Sequence, residues 1–167
     1  SVCLLSPAAV RAESLESKLY LAVLGQDIPE IESLIKKGAK PNYLENGRPL
    51  LGWAAQNGNV QVVDALLKAG ADPNLADTGI GHTPLMRAIE TQQTAIAVRL
   101  LKAKANPNAK TPEGKSCLLM AVESRVPKIV SALIISGADL KTASIEGNSP
   151  ALAAAMERLD LGISPAR

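Results

Sequence analysis

Two short apolar stretches with helical spacing lie between positions 46 and 74, and they set the pattern for the whole chain. The first covers residues 50–55. The second covers residues 60–69 and repeats its apolar side chains every three or four positions, as a helix with one buried face does. Asn57-Gly58 separates the stretches, and Gly70 follows at a position where helices stop. Two such helices cannot bury their apolar faces alone, so we expect copies of the unit on either side.

The copies are present and evenly spaced. The alanines in the turns that close the units, at positions 39, 71, 105 and 138, are 32, 34 and 33 residues apart. The glycines that open the units, at positions 47, 81, 114 and 147, are 34, 33 and 33 residues apart. A period of this length indicates stacked supersecondary units that share one continuous core.

Motifs mark where the units begin and end. Thr-Pro-Leu-Met-Arg-Ala at 83–88 opens a helix with a hydroxyl that can cap free N–H groups and a proline where a missing N–H costs nothing. Gly-Ala-Asp-Pro-Asn at 70–74 closes a unit. With their period, these motifs resemble the ankyrin-repeat family over about residues 14–160.

The resemblance implies an all-α fold: an ankyrin-repeat solenoid of about five stacked helix-turn-helix repeats, with projecting β-hairpin loops and a truncated last repeat. We assign one domain to residues 13–167. Its repeats are expected at about 14–42, 46–74, 81–108, 114–141 and 147–162.

The chain departs from the family pattern in two respects. The histidine usual in the opening motif is replaced by Gly52, Met86, Leu119 and Leu152. Apolar packing must therefore replace the hydrogen bond of that histidine. Gln92 and Arg125 stand where the second unit ends its first helix with Gly58, so we expect those two turns to be stiffer or differently placed.

The segment 1–12 needs a separate interpretation. An apolar run, the helix-breaking Ser6-Pro7 and small residues ending at Ala12 resemble the end of a secretory signal peptide. This interpretation places the protein in the periplasm or outside the cell. The alternative is an N-terminal capping segment, in a cytoplasmic protein, whose apolar side chains cover the first repeat.

Composition narrows the classes of partner. Apolar residues make up 47% of the chain, with no Phe, one Trp and two Tyr, which favours close helix packing over a base-stacking surface. The net charge is +2 and no block of like charge occurs, so we expect no nucleic-acid partner. No stretch approaches the ~20 apolar residues of a membrane span, so we expect no membrane insertion.

The sequence does not assemble an active site. His82 is the only histidine, so neither a paired metal site nor a histidine relay is available. Cys3 and Cys117 have no metal-ligand spacing, and Cys117 lies in an apolar helix, where a buried and inert thiol is expected. We therefore predict a protein that is not an enzyme and uses no cofactor or metal. His82 is interpreted as a surface side chain or a partner contact.

The resemblance to ankyrin repeats implies that a partner protein binds the concave side, formed by the hairpin tips and the outer positions of each first helix. Transferred by repeat position, the expected partner-binding residues are Tyr43, Glu45, Asn46, Arg48, Trp53, Gln56, Asn57, Ile80, His82, Arg87, Glu90, Glu113, Lys115, Met120, Glu123 and Glu146. Trp53, Tyr43 and Arg48 are the expected anchors, because these residue types dominate interface hot spots. For Trp53 the alternative is packing at the edge of the core. Ile80 and Met120 are apolar where exposure to solvent is expected.

These observations predict a non-catalytic protein-binding module that is monomeric when free. The leading hypothesis is a periplasmic bacterial inhibitor or immunity protein that binds and blocks a partner enzyme such as a cell-wall hydrolase. The alternatives are a scaffold or stabilising partner of another exported protein, and a cytosolic or host-directed adaptor.

Overall fold

The computed structural model describes residues 14–143, and within them the chain forms paired helices. The pairs are α1 (Leu15–Gly25) with α2 (Ile28–Lys36), α3 (Leu50–Asn57) with α4 (Val60–Lys68), α5 (Pro84–Glu90) with α6 (Thr94–Lys102), and α7 (Cys117–Glu123) with α8 (Pro127–Ile135). Strands β1 (Leu44–Glu45) and β2 (Arg48–Pro49) precede α3, and a 3₁₀ helix (Leu140–Ala143) follows α8. The predicted helical solenoid is confirmed. The segment 1–12 and the fifth repeat at 147–162 lie outside the described residues.

The helices stack in two layers around one core. The first helices α1, α3, α5 and α7 contact one another in chain order, and the second helices α2, α4, α6 and α8 do the same. One leucine register runs through the first layer: Leu19, Leu51, Leu85 and Leu118 are each at most 1% exposed. Because each unit buries its apolar face on its neighbours, the core is continuous through the described repeats.

The opening motifs work as their composition predicts. The Thr83 hydroxyl accepts a hydrogen bond from the Met86 N–H at 3.4 Å, and the Ser116 hydroxyl accepts one from the Leu119 N–H at 3.1 Å. Met86 is fully buried, so apolar packing does fill the position of the usual histidine in that repeat.

The turns after the first helices correct one expectation. Gln92 and Arg125 have φ values of 57° and 55°, in the same left-handed region as Gly58 at 77°. The expectation of differently placed turns was wrong, because the connection to the second helix requires this conformation whichever residue occupies it. The two non-glycine residues accept the strain of that backbone region.

Asparagine side chains join each closing turn to the next. The Asn74 Oδ1 accepts a hydrogen bond from the Asn106 N–H at 2.7 Å, and its Nδ2 donates to the Lys104 carbonyl at 3.1 Å. The amides of Asn42 and Asn108 make the same pair of bonds one repeat earlier and one repeat later. These asparagine bonds form a ladder along the stack, and this asparagine ladder fixes the spacing between successive repeats.

One loop forms a regular hairpin. In the β1–β2 pair Glu45 lies opposite Arg48, which leaves Asn46-Gly47 as a two-residue turn. Both turn residues have positive φ, 50° and 78°, as a hairpin whose turn follows the strand twist requires. The next loop stacks on it, because the Thr78 N–H donates to the Gly47 carbonyl at 2.7 Å.

Candidate functional site

The concave surface is defined here by the outer positions of the first helices and the loops beside them. The repeat register places equivalent residues one above another: Leu21, Trp53, Arg87 and Met120 form one row, and Leu24, Gln56, Glu90 and Glu123 form the next. Sequence reasoning missed the members in α1, where Leu21 is 57% and Leu24 is 38% exposed. The 32-residue spacing between Ala39 and Ala71 also separates Leu21 from Trp53 and Leu24 from Gln56. This spacing could have identified the two leucines from the sequence.

Trp53 is the centre of the first half of this surface. The guanidinium carbon of Arg48 lies 4.3 Å from the ring centroid, and Tyr20 in α1 meets the ring edge-on with centroids 5.7 Å apart. Trp53 is half-buried and packs against the core, so its packing role is present in the structure. Its role as a binding anchor stays a prediction. Tyr20 was missed because no motif marks it, and its equivalent in the second repeat is Gly52, which has no side chain.

Arg48 is held in place by two contacts. Besides stacking on Trp53, its Nη1 donates a 2.8 Å hydrogen bond to the side-chain oxygen of Gln56. A guanidinium fixed in this way loses little conformational freedom when it binds a partner. The contact spans β2 and α3, so the hairpin and the first helix of the second repeat present one rigid surface.

Three of the expected binding residues, Glu45, Met120 and Arg87, are buried. Glu45 is only 8% exposed, and the Tyr43 hydroxyl donates to its carboxylate at 2.9 Å. Its burial follows from the alternation along β1, which directs Leu44 and Glu45 to opposite sides. Met120 is 7% exposed and belongs to the apolar core, so the expectation that it stands in solvent was wrong. Its flexible side chain fills core space.

Arg87 belongs to a buried ion pair. Its Nη2 lies 2.6 Å from the Asp77 carboxylate, and both side chains are at most 10% exposed. Burial by itself raises the pKa of Asp77, but the Arg87 side chain, the Ile80 N–H and the guanidinium charge outweigh it and lower that pKa below its usual value. The pair ties the loop at 75–82 to α5. Asp77 was also missed, since an isolated aspartate in a loop carries no motif.

Glu90 contacts two basic side chains at the edge of the surface. Its Oε1 lies 2.9 Å from the His82 Nδ1, and its Oε2 lies 3.4 Å from the Arg87 Nη1. His82 is half-buried rather than a free surface side chain. In the fourth repeat Lys115 forms an ion pair with Glu123 across the concave side. The charges of this half are therefore satisfied mainly within the protein.

The remaining expected residues divide by exposure. Ile80 is 48% exposed, as expected, and Asn46, Asn57 and Glu113 are also exposed. A hydrogen bond from the Thr111 hydroxyl lowers the pKa of Glu113. Glu146 lies outside the described residues.

No group of three or more His, Cys, Asp or Glu side chains within residues 14–143 is placed to hold a metal ion. No helix in that range is both long and apolar enough to cross a membrane. Cys117 is buried, and desolvation raises the pKa of its thiol to about 12. The concave surface, where Arg48 and Trp53 lie beside the exposed Leu21 and Leu24, is the candidate site for recognition.

The family described as "Ankyrin repeats (3 copies)" matches the chain in three overlapping stretches, residues 3–77, 19–111 and 51–144. The chain belongs to the ankyrin-repeat family. Its stacked helix pairs, its closing turns and its hairpin have the architecture that this membership implies.

Two relatives show where similar repeats occur. The chain is 26% identical over 146 residues to the chicken (Gallus gallus) nuclear factor NF-kappa-B p105 subunit, covering 84% of this chain and 15% of that protein. It is 36% identical over 88 residues to mouse (Mus musculus) NF-kappa-B inhibitor delta, covering 52% of this chain and 27% of that protein. The chain thus spans under a third of either relative. Family membership and likeness to a protein named as an inhibitor support a protein-binding module.

Proposed function

We propose that this protein is a non-catalytic inhibitor that covers a functional surface of a partner protein with the first two repeats of its concave surface. The observation that carries the proposal is the grouping of Leu21, Leu24, Trp53 and Arg48 on adjacent elements. Tryptophan and arginine supply much of the energy of interface hot spots, and exposed leucines beside them mark a contact area.

The chemistry of this area indicates the kind of partner it fits. Leu21 and Leu24 offer apolar contact, while the Arg48 guanidinium can donate hydrogen bonds to a carbonyl or carboxylate group. Because Glu90 already pairs with Arg87 and Glu123 with Lys115 in this chain, the third and fourth repeats contribute less to affinity. A partner that presents apolar side chains next to an acidic or carbonyl group matches the arrangement.

Inhibition is favoured by the likeness to the mouse relative, which is named as an inhibitor. An ankyrin stack can inhibit an enzyme by occupying its surface. As in the sequence-based hypothesis, the partner we propose is an exported enzyme such as a cell-wall hydrolase in the bacterial periplasm. Export rests on segment 1–12 alone.

An activity assay distinguishes inhibition from support. Purified protein is added to periplasmic extract, and cell-wall hydrolysis is measured against the same extract with the Trp53→Ala variant. Inhibition that disappears in Trp53→Ala but persists in the convex-side variant Lys68→Glu supports the proposal. Increased hydrolysis would instead identify a stabilising partner, and unchanged hydrolysis would contradict the choice of enzyme. Mass spectrometry of the N-terminus of the protein made in its native host tests export separately.

A further inference from the structure

A second surface with different chemistry lies on the opposite, convex side of the stack. Between α6 and α8 the chain forms a groove with a volume of about 340 Å³. Val98 and Leu101 contribute apolar side chains from α6, Ile135 contributes one from α8, and Lys102 and Lys128 stand at the rim. The groove shares no residue with the concave surface.

The repeat register shows that this groove is a departure from the pattern of the chain. Ile135 lies three positions before the closing-turn alanine, where the other described repeats have Lys36, Lys68 and Lys102. Its side chain is nonetheless 78% exposed, the highest value among the exposed large apolar residues of the described part. An exposed isoleucine in a position otherwise occupied by lysine contributes nothing to the core and needs another explanation.

The two helices that form the groove differ from the earlier second helices in having no acidic residues. Helix α2 contains Glu30 and Glu32, and α4 contains Asp64, whereas neither α6 nor α8 contains an acidic residue. Asp64 pairs with Arg99 at 2.7 Å, and within residues 14–143 no acidic group pairs with either rim lysine. The groove is therefore apolar inside and positively charged at its edge.

We propose that this groove binds an acidic amphipathic segment of a partner protein, with an apolar side chain inserted beside Ile135 and carboxylates facing Lys102 and Lys128. Charge complementarity favours this occupant over a second copy of the chain, because a two-fold contact would bring the lysines of both copies together. A groove of this size also accommodates individual side chains, which favours a peptide segment over a flat bilayer surface as its occupant. The proposal is independent of the concave-surface function.

Binding of designed peptides to the full chain tests the proposal. The probe is a fluorescent helical peptide of about 15 residues with one leucine stripe flanked by Glu, and its counterpart carries Lys in place of each Glu. We expect the acidic peptide to bind at low salt and the basic one not to bind. Equal binding of both peptides, or of neither, would overturn the proposal.

Matched variants locate the binding. Ile135→Ser removes the apolar side chain without adding a charge, so it should fold normally and weaken peptide binding by roughly tenfold or more, the factor for one aliphatic side chain. Lys102→Glu with Lys128→Glu should also weaken it, whereas Lys68→Glu, at the equivalent position outside the groove, should not. Unchanged affinity in Ile135→Ser would overturn the proposal.

Other occupants would show themselves in the same variants. Self-association that Ile135→Ser abolishes would assign the groove to a second copy. Binding to anionic vesicles that requires Ile135 would assign it to a membrane surface. Stronger peptide binding after removal of residues 144–167 would assign it to that segment. Each of these results would overturn the proposal.

Discussion

The guanidinium carbon of Arg48 lies 4.3 Å from the centroid of the Trp53 ring, and this contact joins the hairpin of the second repeat to the helix that follows. A cation over an indole ring contributes about 0.5–1 kcal/mol when exposed. Because Gln56 also holds Arg48, the pair is ordered before any partner arrives. The surface proposed for recognition is therefore preorganised, which lowers the entropic cost of binding.

The asparagine ladder should make a measurable contribution to stability. Asn74→Ala removes the bonds to the Asn106 N–H and the Lys104 carbonyl, so we expect the free energy of unfolding to fall by about 1–3 kcal/mol. Urea unfolding followed by circular dichroism measures the change. Asn57→Ala, an exposed asparagine that makes no such bridge, is the control and should change stability by under about 0.5 kcal/mol. Equal losses in both variants would contradict the role of the ladder.

The buried Asp77–Arg87 pair should account for part of the loss of folding stability at acid pH. Because the folded state lowers the pKa of Asp77 below its ordinary value of 3.8, its contribution to stability is fully present above that value and is lost as the pH falls through the lowered pKa. Asp77→Asn should therefore flatten the loss of stability below about pH 4. At neutral pH it should cost about 3 kcal/mol, because Arg87 keeps its charge in a buried position.

Chemical unfolding at a series of pH values between neutral and acidic measures both effects. Asp64→Asn breaks the more exposed pair with Arg99 and is the matched control, with an expected loss of about 1 kcal/mol or less. If the stability of Asp77→Asn fell with decreasing pH as steeply as that of the wild-type protein, the assignment of this pH dependence to Asp77 would be refuted.

Cys117 should be inert in the folded protein. Burial raises the pKa of its thiol to about 12, so at about pH 8 almost none is present as the reactive thiolate. In a Cys3→Ser background, a disulfide reagent should label no thiol in the native state and one thiol in denaturant. Rapid labelling of the native protein would show that Cys117 is accessible.

Much of the fold follows from the sequence because ankyrin repeats are stabilised by near neighbours. The helix cap at Thr83 and the closing turns depend on spacing within one period, and the structure places them as predicted. The leucine register of the first helices follows the same period. Leu21 and Leu24 were missed at first only because the first repeat lacks the opening motif that draws attention to the others.

The site was harder to predict, because exposure depends on contacts between repeats and loops. The buried Glu45 accepts a hydrogen bond from Tyr43, and the buried Arg87 donates one to Asp77 ten positions earlier. No periodicity in the sequence encodes either contact. Gln92 and Arg125 show the converse case, where the backbone of the repeat imposes a conformation that the residue type does not favour.

The most direct test of the account uses a partner isolated with the wild-type protein from the matching extract. The affinity of this partner is then measured for variants of the concave surface. Trp53→Ala and Arg48→Glu should each weaken binding by roughly thirtyfold or more, as hot-spot residues do, while Lys68→Glu leaves the affinity unchanged. Cooperative thermal unfolding by circular dichroism verifies that each variant is folded. Wild-type affinity in both folded concave-surface variants would contradict the central claim that this surface carries the binding.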